Sequence, residues 1–418
     1  MTITTAELAD QRHLLGRTIL LMGKSLIEAG SELKRAEDTM NRLLQNSSFL
    51  TIAEKEEMAV YVTINAIFLR EKTATVDFVS IGPRDFDLTK ISRLNQLSRA
   101  YSNQTLTVEE LYDKTKAVVA VSPQDQGAWW AYCLLSSSIT LILGGSLLAC
   151  VVAAFIGLVM RQAFFSLKKI ISNVFLLEVC ATFVAGLLAA IFCNVTQQDP
   201  TLLYIAAIIP RVPGINLTNG VHDTFDKYYI SGPVMILESL TSLVSLSLGI
   251  VFLQFLPFAP VASGQIIFTS VPLLWQIVGS ALCSIAFAVI IHAPKHLFAA
   301  IGLAGVVTWC SYVAISGAVA GNLLNNLLSI SLLSIVSQLL ARRCKEPMTM
   351  FFIPALVAVV PGITLFVGLN QWFTGTMTAA SLTFSNVLLS LLALAMGSLL
   401  GDELYAIFFK RLWLKKKT

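Results

Sequence analysis

Charge is what this chain has least of. Asp, Glu, Lys and Arg make up 13% of its 418 residues, against 56% hydrophobic. An ordinary soluble domain carries roughly 25% charged residues, so a purely soluble fold is excluded. No Walker loop, no G-x-S-x-G and no H-E-x-x-H occurs, which removes the usual carriers of phosphate-cradling, serine-hydrolase and zinc-protease chemistry. The seven cysteines include no CxxC pair, so neither a zinc site nor a disulfide framework is indicated. Six of them (Cys133, Cys150, Cys180, Cys193, Cys283 and Cys310) lie in hydrophobic runs, and Cys344 lies in a basic loop. They read as small apolar side chains in helix packing. No metal or cofactor is expected.

The charge that is present is unevenly spread. Residues 1–126 hold 15 of the 29 Lys and Arg and 17 of the 25 Asp and Glu. The remaining residues hold 14 and 8. This predicts a soluble N-terminal domain over 1–126, an ordinary domain size, followed by a membrane region. The N-terminus lacks the basic–apolar–small pattern of a signal peptide. The first hydrophobic span is therefore expected to act as an uncleaved insertion signal, leaving 1–126 in the cytoplasm. The net charge of +4 carries no nucleic-acid message, because the excess sits in short loops beside the spans.

A membrane-spanning helix needs about 20 apolar residues. Ten spans are expected: 128–143, 145–160, 173–193, 201–217, 233–256, 272–291, 297–315, 317–340, 349–369 and 382–407. The break at Gly144-Gly145 separates the first two; one long span there would make nine. Lys and Arg decide between the counts. With ten spans and a cytoplasmic N-terminus, the inner segments carry Arg161, Lys168, Lys169, Lys227, Lys295, Arg342, Arg343, Lys345 and the basic tail. The outer segments carry neither Lys nor Arg. Nine spans would place the tail KRLWLKKK outside, against the rule.

The two halves of the membrane region repeat. Residues 201–220 and 349–368 are each a hydrophobic stretch broken by a Pro-Gly pair, Pro213-Gly214 and Pro361-Gly362, 148 positions apart. At the same offset Ile215 matches Ile363, Leu217 matches Leu365, Gly220 matches Gly368 and Gly249 matches Gly397. Five spans per half make the second half inverted relative to the first. The expected architecture is a polytopic α-helical membrane protein. It has five-span modules at 127–260 and 261–418 and a small α+β domain in front. Inverted repeats with discontinuous helices at their centre are a recurrent secondary-transporter design.

In the soluble domain, Leu15, Ile19, Met22, Leu26, Ala29, Leu33, Ala36, Met40 and Leu43 step by three or four, predicting one long amphipathic helix over roughly 11–46. Residues 58–70 and 73–81 read as two strands. Residues 88–101 and 108–119 read as helices, the second capped by Thr107. The charged run Glu32–Asp38 reads as a solvated helix face in preference to a site.

These residues resemble a known family. The segment Gly30-Ser31-Glu32-Leu33-Lys34-Arg35-Ala36-Glu37-Asp38-Thr39 is similar to the G-A-E-T-x-R-V-E-D-T signature of the threonine/serine exporters. Pro213-Gly214-Ile215-Asn216-Leu217-Thr218-Asn219, with Ser231-Gly232 and Glu238, resembles their central motif. Gly302-Leu303-Ala304-Gly305 and Pro361-Gly362 resemble the smaller partner module, so the chain looks like the fused form. His222 and the segment Asp226–Tyr229 depart from the pattern. The resemblance implies export of small hydroxy amino acids driven by the proton gradient. Some two-chain relatives are linked instead to a C4 dicarboxylate.

Candidate substrate-binding residues are Arg211, Pro213, Gly214, Asn216, Thr218, Asn219, Pro361 and Gly362. An arginine within a span is costly and faces a cavity or a partner. Arg211 either offers its guanidinium to a substrate carboxylate, pairs with Asp223 or Glu238, or snorkels to the interface. The Pro-Gly breaks free backbone groups for coordination, or act as simple kinks. Asn216, Thr218 and Asn219 suit an amino acid's polar ends, or cap a helix. Candidate proton carriers are Glu178, Glu238 and Asp223; a carboxyl in a span is expensive and often functional. Glu178 and Glu238 match Asn326 and Asn386 at the 148 offset. Asp402 and Glu403 read as structural, and His292 and His296 as loop residues. The expected partners are the small-molecule substrate, protons and the bilayer of the plasma membrane, with both termini cytoplasmic. A homo-oligomer stays open, since no GxxxG seam stands out. The alternatives are a dicarboxylate exporter, a passive channel and, remotely, a membrane-embedded hydrolase.

Overall fold

A computed structural model of the chain describes residues 5–70, 76–121, 128–196, 200–261, 271–318, 321–359 and 361–414. The chain divides into two compact units.

One unit comprises residues 1–124, 219–234 and 291–294. Its elements are α1 (Thr5–Glu28), α2 (Leu33–Gln45), α3 (Ile52–Glu57), β1 (Ala59–Val62), β2 (Ala66–Arg70), β3 (Val76–Ser80), α4 (Leu88–Ser102) and α5 (Val108–Ala120). The core is the apolar stripe read from the sequence: Leu15, Ile19, Met22, Leu33, Ala36, Met40 and Leu43 are all buried. The expected single helix over 11–46 is two helices. Gly30 sits at φ +91°, and a Cβ there would lie 2.2 Å from the Phe86 ring. The Gly30 N–H donates to Ile27 O at 3.0 Å and the Ser31 N–H to Leu26 O at 2.9 Å, a left-handed helix end that suits glycine. The break leaves Glu32 at the N-cap of α2.

The run 58–70, expected as one strand, is a hairpin. β1 and β2 pair antiparallel around Thr63–Asn65, and β3 pairs antiparallel with β2. Thr63 Oγ1 donates to Ala66 O at 2.9 Å and closes the turn. Part of the second expected strand, residues 73–75, lies outside the described residues. The helix at 108 begins as predicted: Thr107 and Glu110 form a reciprocal capping box.

The second unit comprises residues 125–218, 235–290 and 295–418. Its helices are α6 (Trp129–Ile142), α7 (Leu147–Leu167), α8 (Val174–Thr196), α9 (Pro200–Ile208), α10 (Gly214–Phe225, of which Gly214–Thr218 belong here) and α11 (Ser231–Val251). They continue as α12 (Leu273–Ile290), α13 (Phe298–Ser316), α14 (Asn322–Cys344), α15 (Thr349–Leu356), α16 (Gly362–Phe373) and α17 (Met377–Leu414). Gly144, at φ +95°, separates α6 from α7, so two helices stand where one long span was the alternative.

Among the described residues, seven helices are long and apolar enough to cross a membrane, or eight if the bent pair Pro200–Arg211 and Gly214–Phe225 is one span. The chain is thus a polytopic helical membrane protein. Ten spans are not reached on that measure: Trp129–Ile142 is a shorter apolar helix, and the stretch 349–369 is divided into α15 and α16.

Packing in this unit recurs at the 148-residue offset. α8 and α14 start and end 148 residues apart, and so do α10 and α16. A Cβ on Gly249 would lie 2.6 Å from Val179 O; one on Gly397 would lie 2.7 Å from Leu327 O. A Cβ on Gly157 would lie 2.5 Å from Tyr132 O, and one on Gly305 2.9 Å from Ser280 O. In each pair both partners shift by the same 148 positions. These glycines let helix backbones approach closely, which is how helices associate in a bilayer that offers no hydrophobic drive.

Candidate functional site

The two Pro-Gly breaks line one cleft. Val212 precedes Pro213 and is extended, at φ −58° and ψ 124°, as a residue before proline prefers. The Gly214 N–H turns back to Val212 O at 2.8 Å, and the chain bends by 63° between the two half-helices. In the second half α15 ends at Leu356 and α16 restarts at Gly362, with the Leu365 N–H donating to Pro361 O at 2.8 Å. A helix end leaves carbonyls or N–H groups without intrahelical partners. Here two such interruptions face a common space. Ile209, Val212, Gly214 and Thr218 line it from the first half, and Ile353, Leu356, Val357 and Gly362 from the second. Gly362 packs closely at this point: a Cβ would fall 2.5 Å from Val212 Cγ1, so a larger residue would have to displace Val212. Thr218 Oγ1 donates to Gly214 O at 2.8 Å, so its hydroxyl already satisfies a carbonyl of the break.

Of the residues expected to touch substrate, Gly214, Thr218 and Gly362 line this cleft. Pro213 and Pro361 make the breaks from the adjoining positions. Arg211 lies beside the break and points elsewhere. Its guanidinium stacks 3.7 Å from the Phe164 ring centroid, and it is within electrostatic reach of Glu178. Its Nε is buried without a hydrogen-bond partner. Asn216 is half-buried, with Oδ1 also unpartnered. The fourth expected span stopped at residue 217, but α10 runs on to Phe225.

The expected proton carriers sit in three different settings. Glu178 on α8 is buried and accepts from Ser242 Oγ at 2.9 Å and from Ser245 Oγ. The equivalent of this contact is neutral: Asn326 Nδ2 donates to Ser390 Oγ at 2.9 Å. Ser242 and Ser390 also stand 148 apart, a match available in the sequence beside Glu178 and Asn326. Glu238 on α11 is exposed. Asp223 on α10 is 1% exposed, and neither carboxyl oxygen completes a hydrogen bond. Of the acids read as structural, Asp402 accepts from Ser334 Oγ at 2.5 Å and Gln338 Nε2 at 2.6 Å.

The run Glu32–Asp38 is not a purely solvated face, as the sequence suggested. Glu32 Oε2 accepts from Arg35 Nε at 2.9 Å, and Oε1 lies 3.6 Å from His222 Nδ1. Burial raises the Glu32 pKa, but Arg35 and His222 outweigh it and hold the carboxyl down at about 2. Lys34 pairs with Asp226 at 2.6 Å, and that hydrogen bond pushes the Lys34 pKa up. Tyr228 donates to Glu37 Oε2. Sequence reasoning missed the contacts of Glu32 with His222, Lys34 with Asp226 and Glu37 with Tyr228, because these partners are almost two hundred positions apart. No cluster of three or more metal-ligating side chains occurs among the described residues.

A helical membrane protein with two interrupted helices around one cleft has the form of a small-solute carrier. A family model described as "Putative threonine/serine exporter" matches residues 17–256, and one described as "Threonine/Serine exporter, ThrE" matches residues 276–403. The chain belongs to the threonine/serine exporter family. A "Probable threonine/serine exporter" of Mycobacterium tuberculosis (strain ATCC 25618 / H37Rv) is 20% identical over 361 residues, spanning 82% of this chain and 67% of that protein. No solved structure matches the chain.

Proposed function

We propose that this chain exports threonine and serine across the plasma membrane by proton antiport. In this reading ten membrane segments form two inverted five-helix modules, 127–260 and 261–418, behind a cytoplasmic domain at 1–126. Both termini are cytoplasmic. The short helix α6 and the pairs α9–α10 and α15–α16 supply the segments beyond the seven long ones. The observation that carries the reading is the shared cleft at Gly214 and Gly362, at the centre of a chain whose family exports these amino acids.

Placement supports the following roles. Val212, Gly214, Thr218 and Gly362 surround the substrate, whose polar ends meet backbone groups freed at the breaks. Arg211, with a guanidinium nitrogen still unsatisfied, swings from Phe164 to the substrate carboxylate. Pro213 and Pro361 hold the breaks open, and Asn216 supplies an amide. Glu178 and Asp223 carry the coupled proton, as buried carboxyls in a bilayer protein commonly do; Glu238 stands as the third carrier. Counterflow of labelled threonine in proteoliposomes tests the substrate assignment. Accumulation driven by internal unlabelled threonine or serine supports it, and accumulation driven by succinate alone replaces it with a dicarboxylate.

A further inference from the structure

The first unit contains a buried, acceptor-rich cluster that no part of the transport cleft uses. Asn219 and Asp223 lie one turn apart on the same face of α10, and each is 1% exposed. Asn219 Nδ2 donates to Gly30 O at 3.1 Å, which turns this face towards the α1–α2 connection. Three oxygens then remain without a donor: Asn219 Oδ1 and both carboxyl oxygens of Asp223. The Leu33 N–H points towards the Asp223 carboxyl, yet the geometry falls short of a hydrogen bond with either oxygen. The Glu32 carboxylate, held by Arg35 and His222, acts electrostatically on Asp223. The charged and titratable groups acting on Asp223 are Glu32, His222 and Arg84, and Asp223 in turn acts on Tyr228.

A buried anion with no donor costs far more than a buried hydrogen-bonded group. A second anion alongside adds repulsion that low polarity leaves unscreened. The species this arrangement lacks is a donor, and one proton supplies it. With a proton on Asp223 the pair Glu32/Asp223 carries a single negative charge, and the new O–H has Asn219 Oδ1 as an acceptor one turn away.

We propose that Asp223, Asn219, Glu32 and His222 form one proton-binding site. In it Asp223 takes the proton, and Glu32, supplied by the N-terminal domain, is a positioning residue that sets how tightly the proton is held. The inference rests on the proton-antiport reading and deepens it. It makes the cytoplasmic domain part of the coupling machinery, because removing residues 1–124 removes Glu32. At the 148 offset His222 and Asp223 become Asn370 and Gln371, so the second half holds no titratable counterpart.

The test is infrared difference spectroscopy of the purified full chain in liposomes, titrated with pH, following the C=O stretch of protonated carboxyl groups. Wild type is expected to lose a protonated-carboxyl band as pH rises, and Asp223→Asn to lack that band. Glu32→Gln removes the neighbouring negative charge, so the band should disappear at lower pH, by at least one pH unit. Glu32→Asp should restore the wild-type midpoint, which a merely structural role would not do. An unchanged spectrum in Asp223→Asn overturns the site even if Glu32→Gln fails to fold, and an unchanged midpoint in a folded Glu32→Gln overturns the role of Glu32. The readout needs no transported substrate. A chain that moves neither threonine nor serine yet shows these bands defeats the transport reading and leaves the proton site standing. Normal threonine flux without the bands does the reverse.

Discussion

Gly362 and Val212 meet where the two interrupted helices come together: a Cβ on Gly362 would fall 2.5 Å from Val212 Cγ1. One residue follows the second Pro-Gly proline and the other precedes the first, so the contact joins the two breaks directly. Gly362→Ala forces them apart. Overpacking of this kind costs about 1–3 kcal/mol, and here it also closes the cleft. Thermal stability in detergent is expected to fall and threonine flux to drop at least tenfold. Val212→Ala removes the clashing methyl groups, so the double variant should regain most of both. Failure of that rescue would place the defect elsewhere.

Gly249 and Gly397 make a matched pair of tests. Each faces a backbone carbonyl of the neighbouring helix, Val179 O at 2.6 Å and Leu327 O at 2.7 Å from the added Cβ. Backbone cannot rotate away as a side chain can. Alanine at either position should lower stability by about 1–3 kcal/mol, and the two losses should be similar. Melting curves of the two variants decide it; one silent substitution would show that the two glycines are not equivalent.

Glu178→Gln converts the first half's buried acid into a neutral amide like Asn326. The bonds to Ser242 and Ser245 can be kept, so the fold should persist. If Glu178 carries the proton, threonine exchange survives and the pH dependence of net efflux disappears. Efflux at several external pH values checks this, and retained coupling would remove Glu178 from the proton path.

Acid should loosen the first unit at Glu32. Its carboxyl pKa falls from 4.5 unfolded to about 2 folded. A depressed carboxyl contributes stability above the unfolded value, which is lost as pH falls through the folded one. That contribution is on the order of 3 kcal/mol at neutral pH. Wild type should therefore lose stability between pH 4.5 and about 2, and Glu32→Gln should start lower and change less over that window. Hydrogen exchange of α2 amides reports it locally.

Much of this molecule was legible in the sequence because its signals are local or periodic. The Pro-Gly pairs marked both breaks, and Thr107 marked the start of α5. Gly144 marked the end of α6. The apolar stripe from Leu15 to Leu43 gave the core of the first unit but hid the break within it. Gly30 reads as a tolerated helix glycine until the Phe86 ring is seen against it. The hairpin at Thr63 was hidden in the same way, since β-branched residues run through its turn. Arg211 was found by its cost within an apolar span, but its stacking on Phe164 depends on a helix whose position no local pattern specifies. The Glu32–His222 contact joins residues 190 positions apart, and only the folded chain brings them together.

Gradient-driven export is testable in a single experiment. Efflux of labelled threonine, serine and succinate would be followed from proteoliposomes containing the full chain, with and without an imposed pH gradient. Threonine and serine efflux should be accelerated by the gradient, with succinate retained. Threonine and serine efflux at the same rate with and without the gradient would contradict the coupling, and succinate efflux alone would contradict the substrate.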